Sequence, residues 1–176
     1  MVKIGKFFAY LLFFIVALIY FTPKESIYYF AEKELQKQGV VIAHETVKDT
    51  GFSLQLRHLD IYLQSIESAS VKELDISLFG LYNDVSAEGI ELSSALSSML
   101  PTKIEKVKVR YSVLHPLTVE LNAAGAFGEL HANADLKERK IRAVLQPSSI
   151  MKRNYRQALR NFKKQANGEY EYVQSF

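Results

Sequence analysis

Most of this 176-residue chain consists of short segments in which apolar and polar residues alternate. The segment TGFSLQLRHLDIYLQ, residues 50–64, alternates twice, in opposite phases on the two sides of Arg57–His58. Successive side chains of a β-strand point to opposite faces, so this change of phase predicts a bulge or bend. Such a ribbon has one apolar and one polar face. The fold and the function therefore depend on what covers the apolar face.

The same alternation predicts strands along most of the chain. The predicted strands are VVIA (residues 40–43), the ribbon, residues 74–78, DVSAEGIEL, KIEKVKVRY, PLTVEL, GELHANADL, IRAVL and residues 168–176. Turns are expected at Thr50–Gly51, at Gly80 and in KERK, and residues 93–100 are expected to form a short helix or loop. Strands with polar outer faces in this succession predict a mainly β fold, an antiparallel sheet with one covered side.

Two amphipathic helices are predicted as covers for this sheet. The first spans residues 23–39, with Thr22, Pro23 and Glu25 in the order of a capping box and Gly39 at its end. The second spans residues 149–166, where the period of the apolar residues returns to that of a helix.

The second helix is strongly basic. Residues 137–164 contain ten Lys or Arg and one acid, although the net charge of the whole chain is only +3. Six cations surround its apolar stripe: Lys152, Arg153, Arg156, Arg160, Lys163 and Lys164. They form either a solvated helix face or a contact with anionic headgroups or an acidic partner. Nucleic acid is not an expected partner.

The N-terminal 22 residues predict a transmembrane signal anchor. The uncharged run from Phe7 to Pro23 is 17 residues long and lies between Lys6 and Lys24. A cleaved signal peptide is the alternative, but the bulky sequence IYFTP lacks the small residues of a cleavage site. Lys3 and Lys6 favour a cytoplasmic N-terminus. Residues 40–176 would then form a periplasmic domain of a single-pass protein in a bacterial inner membrane.

Sequence motifs for catalysis are absent. The chain has no cysteine, no glycine-rich nucleotide motif, no nucleophile elbow and no HExxH, and its four histidines are scattered. We therefore expect no cofactor, no metal site and no enzymatic activity. An uncharacterised hydrolase whose site is assembled from distant residues is the remaining alternative in the enzyme class.

The order of elements resembles a known family. The anchor is followed by PKESIYYFAEKELQKQGVVI, then GFSLQLRHLDIYL, ASVKELDISL and VSAEGIEL, and the chain ends with GAFGELHANADL, KIRAVLQPS and GEYEYVQSF. This is similar to the opening module of the AsmA-like superfamily, and most of all to the type II secretion system protein N family. The family string G-x-x-L-x-L-x-x-(N/H)-(V/L)-x-(I/L) is matched by Gly51, Leu54, Leu56, His58 or Leu59, and Ile61.

The resemblance implies a curved antiparallel sheet that faces the periplasm, and accessory work in envelope transport. The first expectation is a non-enzymatic structural component of a secretion or transport machine, with other envelope proteins as partners. The alternative is a periplasmic module of AsmA-like or lipopolysaccharide-export type that binds or transfers phospholipid or lipid A. The two differ in the apolar face, which is a dry core in a scaffold and an open groove in a carrier. The predicted groove residues are Phe52, Leu54, Leu56, Val107, Val109 and Tyr111.

Overall fold

In the computed structural model, eleven strands form one antiparallel sheet behind an N-terminal helical segment. The structure describes residues 2–79 and 81–176, so the expected turn at Gly80 lies outside the described residues. The helices are α1 (Val2–Phe21), α2 (Lys24–Lys37), α3 (Ser149–Asn154) and α4 (Arg156–Leu159), with a short 3-10 turn at Ser94–Leu96. The strands are β1 (Val40–Ala43), β2 (Thr46–Asp49), β3 (Ser53–Leu63), β4 (Ile66–Leu78), β5 (Tyr82–Leu92), β6 (Lys103–Ser112), β7 (Thr118–Gly125), β8 (Gly128–Asp135), β9 (Lys140–Pro147), β10 (Lys163–Lys164) and β11 (Tyr170–Ser175).

The sheet is an open meander. From β3 to β9 each strand pairs with the next strand along the chain, β11 follows beside β9, and β10 lies outside β11. At the other edge, β1 and β2 both pair with β3. β2 pairs with the first half of β3, and β1 pairs with the last residues of β3. Among the described strands, the two edges do not pair with each other. The predicted mainly antiparallel sheet is therefore confirmed.

One face of the sheet is apolar across nine strands. A single row of cross-strand neighbours consists of Val47, Leu56, Leu74, Ala87, Val107, Ala123, Leu130, Leu145 and Tyr170. The next residue in each strand points to the opposite face. That opposite face carries cross-strand ion pairs, including Lys106–Glu88 at 2.7 Å and Lys108–Asp84 at 3.4 Å. The hydrogen bond from Lys106 to Glu88 raises the pKa of the lysine.

The expected change of phase occurs at His58. This residue has φ +57°, and the β3–β4 register passes from Arg57–Glu73 to Leu59–Val71 on its two sides. A left-handed residue in the strand lets Leu56 and Leu59 point to the same face, and both are buried. The irregularity continues into β5, where Gly89 has φ +64° and lies against the side chain of Lys72. The predicted bend is confirmed.

Two clusters of buried side chains cover the apolar face near the two edges of the sheet. Near the first edge, Tyr28 of α2 is buried with Leu54, Leu56, Leu59 and Val71. Near the last edge, Met151 of α3 and Leu159 of α4 are buried with Leu145. The predicted helical covers are therefore present, but each packs near only one edge of the sheet.

The segment between α1 and α2 is fixed by one buried lysine. Lys24 is 1% exposed, and its Nζ donates hydrogen bonds to the carbonyls of Ile19 (3.0 Å), Thr22 (3.2 Å) and Gly51 (2.5 Å). The expected capping box is wrong: the hydroxyl of Thr22 instead donates to Leu18 O, 2.7 Å away. The reason is that α1 extends to Phe21, so its last carbonyls need donors.

The basic segment is not one helix. The predicted helix over residues 149–166 is instead two short helices, separated at Tyr155 (φ −123°, ψ 38°), and helical structure ends at Leu159. Lys163 and Lys164 form β10, paired with Glu171 and Tyr170 of β11. The open edge of β11 offers backbone hydrogen bonds to these residues, and this long-range pairing overrides the local helical period.

Candidate functional site

Within residues 2–79 and 81–176, no helix lies over the middle of the apolar face. Val107, Val109 and Leu121 lie between the two buried clusters and are only half-buried, and Val85 is 36% exposed. In a covered sheet these central positions would be the most buried. Here burial is greatest near the two edges of the sheet, so the centre of the apolar face is its most accessible part.

An apolar cavity of about 430 Å³ lies on this face, near those ends of the strands that are farthest from α1. Its floor is formed by strand residues, among them Val107, Leu121 and Ala123. The walls come from strand ends, loops and helices: Leu92, Leu100, Pro101 and Ile104 on one side, Phe127, Met151, Ala158 and Phe162 on the other. Of the described residues that line it, Asn161 alone has a polar side chain. A cavity of this size and lining is typical of a site for an apolar ligand.

The apolar face continues from this cavity toward the end of the sheet that lies near α1. Along β6 the side chains of Val107, Val109 and Tyr111 follow one another on that face, and each is half-buried. Their neighbours on β7 are Ala123, Leu121 and Val119. At about 3.4 Å per residue, Ile104 to Tyr111 spans roughly 24 Å. The face therefore forms a long apolar track with the cavity at its far end.

The structure divides the six predicted groove residues into three groups. Val107, Val109 and Tyr111 lie on the open track. Leu54 and Leu56 are 1% and 0% exposed, so the expected groove does not extend to them: Tyr28 of α2 and Val47 of β2 close the sheet there. Phe52 belongs to the β2–β3 turn, where its ring contacts Tyr20 of α1 at 5.5 Å between centroids.

The cavity walls were missed by reasoning from the sequence. Most of them come from loops and from the α3–α4 segment, about which alternation within strands carries no information. The sequence predicts an apolar stripe on the helix over residues 149–166, formed by Met151, Tyr155, Ala158, Leu159 and Phe162. A helical stripe does not show whether it packs tightly or borders a cavity. Such a wall needs the tertiary placement of the helix to be known.

The six predicted cations do not form one surface. Lys152, Arg156 and Arg160 border a shallow depression with Leu159 and Tyr170. Arg153 donates instead to Ser149 O, and Lys163 and Lys164 lie on the edge strand β10. A contact with an acidic partner through these cations stays a prediction, now confined to the first three.

Side chains that could bind a metal ion are not gathered in the part of the chain that the structure describes. Among those residues, no cluster of three or more His, Asp or Glu is placed to hold a metal ion. Glu169 has a lowered pKa because Gln146 and Asn167 donate hydrogen bonds to it, but it lies on the solvent side.

Comparison with known proteins found no match: neither a family model, nor a curated protein, nor a solved structure is significantly similar to this chain. The class of the protein is therefore defined by its own geometry. It is an open, two-faced antiparallel sheet behind one apolar N-terminal helix. That helix contains an 18-residue stretch, Ile4–Phe21, of mean hydropathy 2.2, none of it buried, which is long and apolar enough to cross a membrane.

Proposed function

We propose that this protein binds the acyl portion of a lipid on the open track of its sheet while α1 anchors it in a membrane. The observation that carries the proposal is the half-exposed apolar centre of the sheet, which ends in the cavity of about 430 Å³. Removing one large apolar side chain from water contributes roughly 1.5–3 kcal/mol. A ligand that covers several such side chains at once therefore gains substantial free energy from this face.

The proposal changes the order of the two functions expected from the sequence. A lipid-binding module of AsmA-like or lipopolysaccharide-export type needs an apolar face that stays open, and this feature is present. The scaffold role, as a component of a secretion machine like the type II secretion N family, needs a protein partner and stays a prediction. In both cases we propose a single pass through a bacterial inner membrane, with the sheet in the periplasm and Lys3 and Lys6 on the cytoplasmic side.

The test is native mass spectrometry of the full chain, released from mild detergent after extraction from membranes. The expected result is a stoichiometric adduct in the mass range of phospholipid or lipid A. A transmembrane helix also retains lipid, so the variant Ala123→Phe is needed to locate the adduct. Ala123 lines the cavity, and a phenyl ring there fills part of it without adding charge.

Ala124→Phe is the matched control for Ala123→Phe. Ala124 follows Ala123 in β7 and pairs with Lys106 and Glu129 on the polar face. The fraction of the chain that carries the adduct should fall in Ala123→Phe and stay at the wild-type level in Ala124→Phe. An unmodified mass for the folded wild-type chain, or equal adduct fractions in the two variants, contradicts lipid binding in the cavity. The scaffold role would then become the leading hypothesis.

A further inference from the structure

The end of the sheet next to α1 carries a second apolar surface, separate from the central track. It consists of loop residues with exposed side chains: Phe52, Phe79, Leu81, Val113, Leu114 and Leu117. Leu114 is 74% exposed and Leu81 is 64% exposed. We call this surface the anchor-side rim. Apolar patches on a protein surface mark interaction sites, and the question is which partner this one fits.

Contacts connect the rim to the end of α1. The ring of Tyr20, in the last turn of α1, packs on Phe52. Phe52 precedes Ser53, which pairs with Ser77 just before Phe79. From there the amide of Val113 donates to Leu81 O at 3.0 Å, which holds the two rim loops against each other.

The sequence around the rim lacks formal charge. No Asp, Glu, Lys or Arg occurs from Ile76 to Asn83 or from Tyr111 to Val119. At the same end of the sheet, the amide of Leu136 donates to Leu117 O, and the following residues 137–140, KERK, carry three cations and one acid. Apolar loops beside cations match the arrangement of a bilayer interface, where apolar side chains enter the acyl region and cations contact headgroups.

We infer that the anchor-side rim inserts into the bilayer leaflet that surrounds the C-terminal end of α1. The occupant of the rim is the bilayer itself, because α1 emerges directly beside the rim and Lys24 fixes this junction with three hydrogen bonds. The end of the central track that is farthest from the cavity, at Tyr111 and Val119, then faces the membrane. The inference rests on the proposed anchoring by α1 but not on lipid occupancy of the cavity.

The chain contains no tryptophan, so one introduced tryptophan is an unambiguous probe of depth. Three variants of the full chain are reconstituted in vesicles of phosphatidylcholine and phosphatidylglycerol whose acyl chains carry bromine, which quenches indole fluorescence on contact. Leu114→Trp probes the rim. Phe13→Trp probes the middle of α1. Met99→Trp is the matched control, because Met99 is 65% exposed in a loop at the opposite end of the sheet.

The expected result is loss of fluorescence for Leu114→Trp and Phe13→Trp and no loss for Met99→Trp. Quenching of Phe13→Trp alone overturns the inference and leaves the anchor intact. An unquenched Phe13→Trp shows that α1 is not in the bilayer, which overturns the anchor and the inference together. Quenching of Met99→Trp as strong as that of Leu114→Trp also overturns it, because the sheet would then lie flat on the membrane.

Discussion

The ammonium group of Lys24 donates a hydrogen bond to the main-chain carbonyl of Gly51, 2.5 Å away, and so joins the start of α2 to the turn between β2 and β3. The same ammonium satisfies the carbonyls of Ile19 and Thr22 at the end of α1. Asp49 lies 3.9 Å from it and supplies the opposite charge. One side chain therefore connects the apolar helix to the sheet.

Lys24→Met should weaken this junction. The variant keeps much of the side-chain volume but leaves carbonyls without a donor, each at a cost of about 1–3 kcal/mol. We expect lower thermal stability of the full chain in detergent micelles and faster proteolysis between α1 and α2. Lys33→Met, on an exposed position of α2, is the control and should change neither measurement. Equal behaviour of the two variants would show that the hydrogen bonds of Lys24 are dispensable.

Gly51→Ala should be more harmful than an ordinary substitution of a left-handed glycine. Gly51 has φ +86°, and a Cβ there would lie 2.2 Å from Cε2 of Tyr20. Gly168 has nearly the same φ, +87°, but a Cβ at that position would meet no atom within 4 Å, so Gly168→Ala carries the backbone strain alone. We expect both variants to lose stability, Gly51→Ala by more than about 1 kcal/mol.

The difference between these two glycine variants measures the contact with Tyr20. Removal of the ring in the double variant Tyr20→Ala/Gly51→Ala should recover part of the difference. If Gly51→Ala and Gly168→Ala lose equal stability in denaturant titrations, α1 does not pack on the β2–β3 turn.

Tyr28 should make the fold sensitive to alkaline pH. Burial and the negative charge of Glu45, whose carboxylate accepts a hydrogen bond from the phenol at 3.3 Å, raise the pKa of Tyr28 well above its ordinary value of 10.0. The folded state keeps the phenol neutral while the unfolded state ionises. The contribution of Tyr28 to the free energy of unfolding is therefore complete below pH 10.0. It is lost as the pH rises toward the pKa of Tyr28 in the folded state.

Tyr28→Phe should remove this dependence. Above the ordinary tyrosine pKa, the free energy of unfolding of the wild type should fall by up to ~1.4 kcal/mol per pH unit more than that of the variant. Tyr29→Phe is the control, because Tyr29 is half exposed. Chemical denaturation at several alkaline pH values measures the slopes. A Tyr28→Phe slope equal to that of Tyr29→Phe would contradict the assigned role.

Met151→Ala should loosen the wall that α3 and α4 form beside the cavity. Met151 is 2% exposed, and truncation of a buried methionine costs about 2–5 kcal/mol. We expect faster amide hydrogen exchange in α3 and α4 but not in β3 and β4, which belong to the other buried cluster. The adjacent Ile150 is exposed, so Ile150→Ala should leave exchange unchanged. Faster exchange throughout the sheet would mean that the two clusters unfold as one unit.

The sequence predicts the strands of this protein better than the covers of its sheet. Alternation is a local property, so it assigns Val107 and Val109 to the correct face and predicts the bend at Arg57–His58, where His58 has φ +57°. Leu54 and Val107 have the same local pattern but different burial, because Tyr28 packs near the first and no helix of the described residues packs over the second. The end of the basic helix was missed for a related reason: Lys163 pairs with Glu171, a contact that no local period encodes.

The nearly sequential order of strands also affects how the chain acquires its structure. Because each strand from β3 to β9 pairs with its immediate predecessor, the loops that must close are short, and contacts of this kind favour rapid folding. The growing sheet can add one strand at a time as the chain is synthesised. The α3–α4 segment follows β9 in the chain, so the cavity acquires its second wall only after β9 has been synthesised. Until then the nascent sheet exposes its whole C-terminal apolar half, which is the stage at which aggregation and chaperone binding would compete with folding.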